Sequence, residues 1–153
     1  MDKIYIEKKV HQLLRGDTQN LYNLADNHNI LVYECDLGNN SGLYLYIEKT
    51  KTILLNHKLS YFKKQIVLAH EIAHAILHPK MRCAFTPSCS LDKPNLQENE
   101  ANYFANKLLT QIGFWENEEL CIYEHELDKS DLAFVHAYKN YLEEHIDQYS
   151  YTS

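Results

Sequence analysis

Residues 66–78 limit the possible folds of this chain more than any other segment. The segment is apolar on almost every side of a helix, and a helix of that kind is buried in a protein interior. It nevertheless contains His70, Glu71 and His74. Because unpaired polar groups are costly to bury, these three side chains need partners inside the protein, and a metal ion would provide them.

The three residues form the pattern HExxH, here His70-Glu71-Ile72-Ala73-His74. Histidines four residues apart lie on one helical face, so both imidazoles can bind a single metal ion. Glu71 points about 100° away around the helix and is predicted to take a proton from a metal-activated water molecule instead. A chain with nine histidines can contain this pattern by chance, so the interpretation requires a helix and a third ligand.

The surrounding residues predict the required helix. Ser60 is a suitable N-cap, and Pro79 cannot continue the hydrogen-bond ladder, so the helix is predicted to end at His78. Apolar residues recur with a helical period at Phe62, Ile66, Ala69, Ala73 and Ile76. His78 lies one turn beyond His74 and could be a ligand, although a surface or supporting position is more common for a histidine at a helix end.

A second amphipathic helix is predicted downstream and supplies the third ligand. Its apolar residues follow the i, i+3, i+4 pattern at Ala101, Phe104, Ala105, Leu108 and Leu109. Glu98 lies beside this stripe and can reach a metal held by the first helix. Asn102, one turn further on, is predicted to hold a ligating histidine through its other ring nitrogen, whereas Glu100 is predicted to be solvated. The alternative is an ordinary surface helix with solvated acidic groups.

The two helices together resemble the ImmA/IrrE family of metallopeptidases, in which an HExxH helix precedes a helix reading roughly E-x-x-A-(N/D)-x-F-A-x-x-L-L. This chain has HEIAH and then ENEANYFANKLL, which places the family's third metal ligand on Glu98. The resemblance covers about residues 25–110. One departure is that LLTQ stands where the family commonly has LLMP. The resemblance implies a peptidase that cuts helix-turn-helix repressors in bacteria and their mobile elements.

The length of 153 residues favours one domain spanning 1–153, with a core at 25–112 and acidic C-terminal helices within 115–148. The predicted fold class is α+β: a mostly helical, zincin-like single domain in which a small antiparallel or mixed sheet packs on the HExxH helix. An exposed edge of that sheet would let a substrate peptide add itself as a strand. Further helices are predicted at 3–14, 18–28, 115–126 and 129–148, and strands at 30–36, 43–48 and 51–56.

The sequence contains no apolar run as long as a membrane span and no recognisable signal peptide, so a cytoplasmic protein without a membrane partner is expected. Its four cysteines form no CxxC pair. Cys83 and Cys89 could bridge if oxidised, but free thiols are expected in the cytosol. Both lie in a loop at 79–94 that is predicted to border the metal site.

Charge is unevenly distributed along the chain. Residues 1–93 have twelve Lys or Arg and nine Asp or Glu, whereas residues 94–153 have three and twelve, within a total net charge of −6. Without a basic stripe, direct nucleic-acid binding is not expected. The acidic part is interpreted either as a solvated surface or as a docking surface for a basic partner.

The sequence therefore predicts that His70, His74 and Glu98 hold one Zn²⁺ ion, with Fe, Mn or Co as open alternatives. Glu71 is predicted to be the general base in peptide-bond hydrolysis of one or a few protein substrates, a helix-turn-helix repressor by family resemblance. Two other interpretations stay open. One is a zinc-binding anti-repressor that acts by binding rather than cleavage; the other is an interaction protein in which the motif is accidental.

Overall fold

The structure is a computed structural model, and it describes residues 1–16, 20–80 and 96–117. The described chain has four α-helices and three strands. In chain order they are α1 (Lys3–Leu13), α2 (Leu21–Asn27), β1 (Ile30–Cys35), β2 (Gly42–Ile47), β3 (Thr50–Asn56), α3 (Tyr61–Leu77) and α4 (Leu96–Gln111), with 3-10 turns at Leu14–Gly16 and Trp115–Asn117. None of these helices is long and apolar enough to cross a membrane.

The three strands form a mixed sheet in the order β1-β3-β2. β1 pairs in parallel with β3, and β2 pairs antiparallel with β3. A two-residue turn joins β2 to β3, and both of its residues, Glu48 and Lys49, have left-handed backbone angles with φ of 50° and 63°. That geometry is typical of a type I′ hairpin, whose twist matches that of the flanking strands even when neither residue is glycine.

Helix α3 is the central element of the fold. It begins after Ser60, whose Oγ accepts a hydrogen bond from the backbone N–H of Lys63 at 3.3 Å, and it ends at Leu77 with His78 as the C-cap. One side contacts β2 and β3, and another side contacts α4. Because almost every residue from 65 to 77 is buried, the polar groups of this helix lie inside the protein.

A close approach at Gly42 brings β2 against α3. A methyl group placed on Gly42 would lie 2.5 Å from Cγ1 of Val67 and 3.5 Å from Cγ of Glu71. Distances near 2.5 Å are far inside van der Waals contact, so only glycine fits at this position without movement of its neighbours. The start of β2 is therefore held directly over the middle of α3.

The predicted α+β fold class is confirmed, with the small sheet packed on the HExxH helix. The predicted hairpin between strands 43–48 and 51–56 is also confirmed. The structure ends the motif helix at Leu77, one residue before the predicted end at His78. Cys83, Cys89, the helix predicted at 129–148 and most of the one at 115–126 lie outside the described residues.

Candidate metal centre

Three predicted ligands converge between α3 and α4. The Nε2 atoms of His70 and His74 are 3.2 Å apart. Oε2 of Glu98 lies 3.0 Å from Nε2 of His70, and Oε1 of Glu98 lies 2.9 Å from Nε2 of His74. Ligand atoms bound at about 2.0–2.1 Å to a tetrahedral metal ion are roughly 3.3 Å from one another. The contacts of His70 and His74 with each other and with the two oxygens of Glu98 are within a few tenths of an ångström of that distance. One ligand atom from each residue lies within 4.8 Å of the others, so these three residues could hold one metal ion.

Both helices of the site carry small, buried residues. Ala69 and Ala73 on α3 and Ala101 and Ala105 on α4 are all fully buried. Without bulky side chains between them, the two helix backbones can pack closely, and α4 places Glu98 beside the histidine face of α3.

The three groups lie in a buried environment of low dielectric constant, where their charges interact strongly. His70 is completely buried, His74 is nearly so, and the side chain of Glu98 is 12% exposed. Burial raises the pKa of the Glu98 carboxyl, but its contacts with the neighbouring imidazoles, that with His70 first, outweigh this effect and hold the pKa well below its usual range. The third group is therefore a carboxylate, which is the form that binds a metal.

Glu71 lies beside the cluster without joining it. It is 2% exposed, and its Cγ faces the start of β2 at Gly42. Among the described residues, only His70, His74 and Glu98 form a group of three that could hold a metal ion. This arrangement agrees with the rotation of about 100° that separates Glu71 from His70 on the helix.

A line of polar contacts leads away from His74 on the side opposite Glu98. Nδ1 of His74 is 3.2 Å from Nδ1 of His78, and Nε2 of His78 is 3.1 Å from Oε1 of Glu100. Oε2 of Glu100 lies 3.0 Å from the amino nitrogen of Met1. Burial lowers the pKa of the His78 ring, although the hydrogen bond to Glu100 acts in the opposite direction.

The prediction that Glu100 is solvated is wrong, because Glu100 is only 4% exposed. A helical wheel of α4 alone does not include the N-terminal residues, which pack over this side of α4, or His78, which reaches it from the end of α3. Of the positions that the sequence allows for His78, the structure shows a buried one in contact with His74 and not a surface one. The sequence signal for this contact is the spacing of four residues between His74 and His78, which places both side chains on one helical face.

Asn102 is also buried, at 4% exposure, on α4. Nδ1 of His74, the ring nitrogen that does not face Glu98, lies 3.2 Å from Nδ1 of His78. Nδ1 of His70 is buried and has no hydrogen-bond partner among residues 1–16, 20–80 and 96–117. A supporting role for Asn102 beside the ligands stays a prediction.

The structure combines the features of a metallopeptidase. These are a helix with paired histidines, a carboxylate from a second helix and a small mixed sheet. The chain belongs to peptidase family M78, because the model of the IrrE N-terminal-like domain matches residues 25–144. A metallopeptidase requires a metal ion, and the ligand cluster described above fits one.

Two relatives from bacilli and their phages show what this chain is similar to. It is 35% identical over 106 residues to "Uncharacterized immunity region protein 2" of Bacillus phage phi105, covering 68% of this chain and 67% of that protein. It is 29% identical over 105 residues to "Metallopeptidase ImmA" of Bacillus subtilis (strain 168), covering 68% of this chain and 62% of that protein. No solved structure gives a significant match.

Proposed function

We propose that this chain is a zinc-dependent endopeptidase in which His70, His74 and Glu98 hold the metal and Glu71 is the general base. The observation that carries the proposal is the convergence of the three ligand atoms within 4.8 Å of one another, inside a buried helix pair. Two imidazoles and one carboxylate are a typical catalytic zinc set, which leaves one position open for water. The donor set also favours zinc over magnesium or calcium, which prefer oxygen ligands.

Each protein group has a defined task in this reaction. When bound, zinc supplies a Lewis acid that activates water and polarises the scissile carbonyl. Glu71 accepts the water proton at a carboxylate oxygen and later delivers it to the leaving amine. Its position beside the ligands, almost wholly buried, keeps this proton transfer away from bulk solvent. Glu98 contributes the negative charge that partly offsets that of the metal.

Strand β2 is the proposed docking edge for the substrate. It is the last strand of the sheet order β1-β3-β2, and within the described residues no strand pairs with its outer edge. Its first residue, Gly42, lies against Glu71. An extended peptide that added to this edge would run past the proposed general base, with main-chain hydrogen bonds holding it in register.

The proposed substrate is one or a few cytoplasmic proteins, foremost a helix-turn-helix repressor of a mobile element or stress regulon. Support comes from the resemblance of the two-helix motif to the ImmA/IrrE family and from similarity to a phage protein named for an immunity region. The second candidate is an anti-repressor that binds zinc and its partner without cleavage. It is favoured by no separate structural feature, but the same site and surface would serve it.

The first experiment measures zinc by mass spectrometry in wild type and Glu98→Ala purified without chelators. About one equivalent in wild type and much less in Glu98→Ala supports the site, whereas no zinc in either, even after zinc is added, overturns it.

Glu71→Gln then separates the two functions in cells that co-express candidate repressors. A peptidase keeps zinc and loses cleavage, while a binding protein keeps its anti-repressor effect. The matched control is Glu116→Gln, which makes the same replacement of a carboxylate by an amide at an exposed position.

A further inference from the structure

We infer that His78 and Glu100 are positioning residues that hold the ring of His74 in the tautomer and orientation required of a metal ligand. This inference rests on the proposed role of His74 as a ligand. The contacts that carry it are Nδ1 of His74 to Nδ1 of His78 at 3.2 Å and Nε2 of His78 to Oε1 of Glu100 at 3.1 Å. We call His74, His78 and Glu100 the relay.

The direction of the hydrogen bonds follows from the carboxylate end of the relay. A carboxylate only accepts, so Nε2 of His78 must carry the hydrogen that is donated to Glu100. A neutral imidazole has one N–H, so Nδ1 of His78 is an acceptor. Nδ1 of His74 must then carry the hydrogen and donate it, which leaves the lone pair of His74 on Nε2. That is the nitrogen that faces Glu98.

The relay therefore creates a site that attracts a cation. With its lone pair on Nε2, His74 presents an acceptor only 2.9 Å from the carboxylate oxygen of Glu98. Two acceptors at that distance repel each other unless a positive charge lies between them. In the opposite tautomer, Nε2 of His74 would donate to Glu98 and that hydrogen would block the metal. In that state Nδ1 of His74 and Nδ1 of His78 would both be acceptors, 3.2 Å apart with no hydrogen between them, so the relay disfavours the opposite tautomer.

Burial makes the relay more effective than the same contacts at a surface. His78 is 9% exposed and Glu100 is 4% exposed, so water cannot readily replace either partner. The relay acts on only one of the two histidines, because Nδ1 of His70 has no partner within the described residues. Loss of the relay should therefore weaken metal binding without abolishing it. Partners that orient ligating histidines typically contribute 10–100-fold in metal affinity.

The test compares His78→Phe, which keeps a flat ring but no hydrogen bond, with His78→Asn, which keeps a polar atom near the position of Nδ1. Zinc affinity is measured by competition with a chromogenic chelator. We expect about 10–100-fold weaker binding for His78→Phe and a smaller loss for His78→Asn. The matched control is His28→Phe, at another helix end where the histidine Nδ1 bonds Leu24 O at 3.0 Å. That variant should bind zinc like wild type.

A second readout separates positioning from a structural effect. Nitrogen-15 NMR of the metal-free protein reports which nitrogen of His74 carries hydrogen. We expect Nδ1–H in wild type and a mixture of tautomers in His78→Phe, at equal helical content by circular dichroism. If His78→Phe does not fold, His78→Asn and Glu100→Gln are compared in the same two measurements. There Glu100→Gln should weaken zinc binding because a neutral amide is a poorer acceptor.

The outcomes distinguish this inference from the proposed function. If wild type binds no zinc, the proposed function is overturned, and the inference is overturned too because it rests on that function. If wild type binds zinc but folded His78→Phe binds within twofold of His28→Phe, the inference alone is overturned. An Nε2–H tautomer of His74 in metal-free wild type would also overturn it, because the relay requires the hydrogen on Nδ1.

Discussion

The close approach of β2 to α3 predicts that Gly42→Ala destabilises the fold through a clash with one identified neighbour. The added methyl group would meet Cγ1 of Val67 at 2.5 Å and the carbonyl oxygen of Leu54 at 3.2 Å. The first distance requires a real displacement, whereas the second requires a shift of only a few tenths of an ångström. Overpacking of a buried site typically costs about 1–3 kcal/mol, so we expect a loss of that size in the free energy of unfolding.

The same geometry predicts that Val67→Ala relieves the clash. On its own this change removes two buried methyl groups and should cost about 2 kcal/mol. In the double variant the space vacated by Cγ1 receives the new methyl group of residue 42, and the one tight contact left among those described is that with Leu54 O, since Cγ of Glu71 at 3.5 Å is in ordinary van der Waals contact. The cost of Gly42→Ala should then fall below about 1 kcal/mol, which gives a coupling free energy of roughly 1–2 kcal/mol.

Urea unfolding of the four proteins, followed by circular dichroism with a chelator present, measures this cycle. Gly38→Ala is the control, because Gly38 has φ of 62° and nothing within 4 Å of an added methyl group. Its cost of about 1 kcal/mol comes from the left-handed backbone and should not change when Val67 is shortened. Additive effects of Gly42→Ala and Val67→Ala would refute the reasoning, as would a Gly42→Ala protein as stable as wild type.

Three further predictions follow from other parts of the structure. Lys49→Gly should raise the free energy of unfolding by about 1 kcal/mol, because Lys49 has φ of 63°; a lower melting temperature would contradict this. Burial raises the pKa of Tyr44 from 10.0 to about 12, so stability should fall as pH rises from 10 towards 12, and Tyr44→Phe should reduce that fall in urea titrations. Zinc at 100 times its Kd should stabilise wild type by about 2.7 kcal/mol in thermal unfolding but leave Glu98→Ala unchanged.

The parts of the fold that could be predicted from the sequence are those set by local chemistry. Ser60 and Pro79 bracket α3 because one can cap a helix and the other cannot continue it. The spacing of His70 and His74 places both rings on one face, and the amphipathic pattern of α4 places Glu98 next to them. Each of these features depends on the geometry of a single helix or on one helix contact.

The features that could not be predicted depend on how distant segments pack. The position of β3 between β1 and β2 is set by tertiary packing, since strand patterns alone allow several orders. The burial of Glu100 requires the N-terminal residues to lie against α4, a contact across about a hundred residues of chain. A helical wheel treats one helix in isolation and therefore assigned this carboxylate to solvent.

The two carboxylates at the start of α4 explain why the ring of His74 has a single favourable orientation. Residues two apart on a helix point about 200° from each other, so Glu98 and Glu100 cannot approach the same atom. The two nitrogens of His74 also diverge: Nε2 faces Glu98, and Nδ1 reaches Glu100 through His78. Both contacts can form only when the first turn of α4 has one position relative to α3. If His74 binds the metal as proposed, metal geometry and helix packing are coupled through this one imidazole.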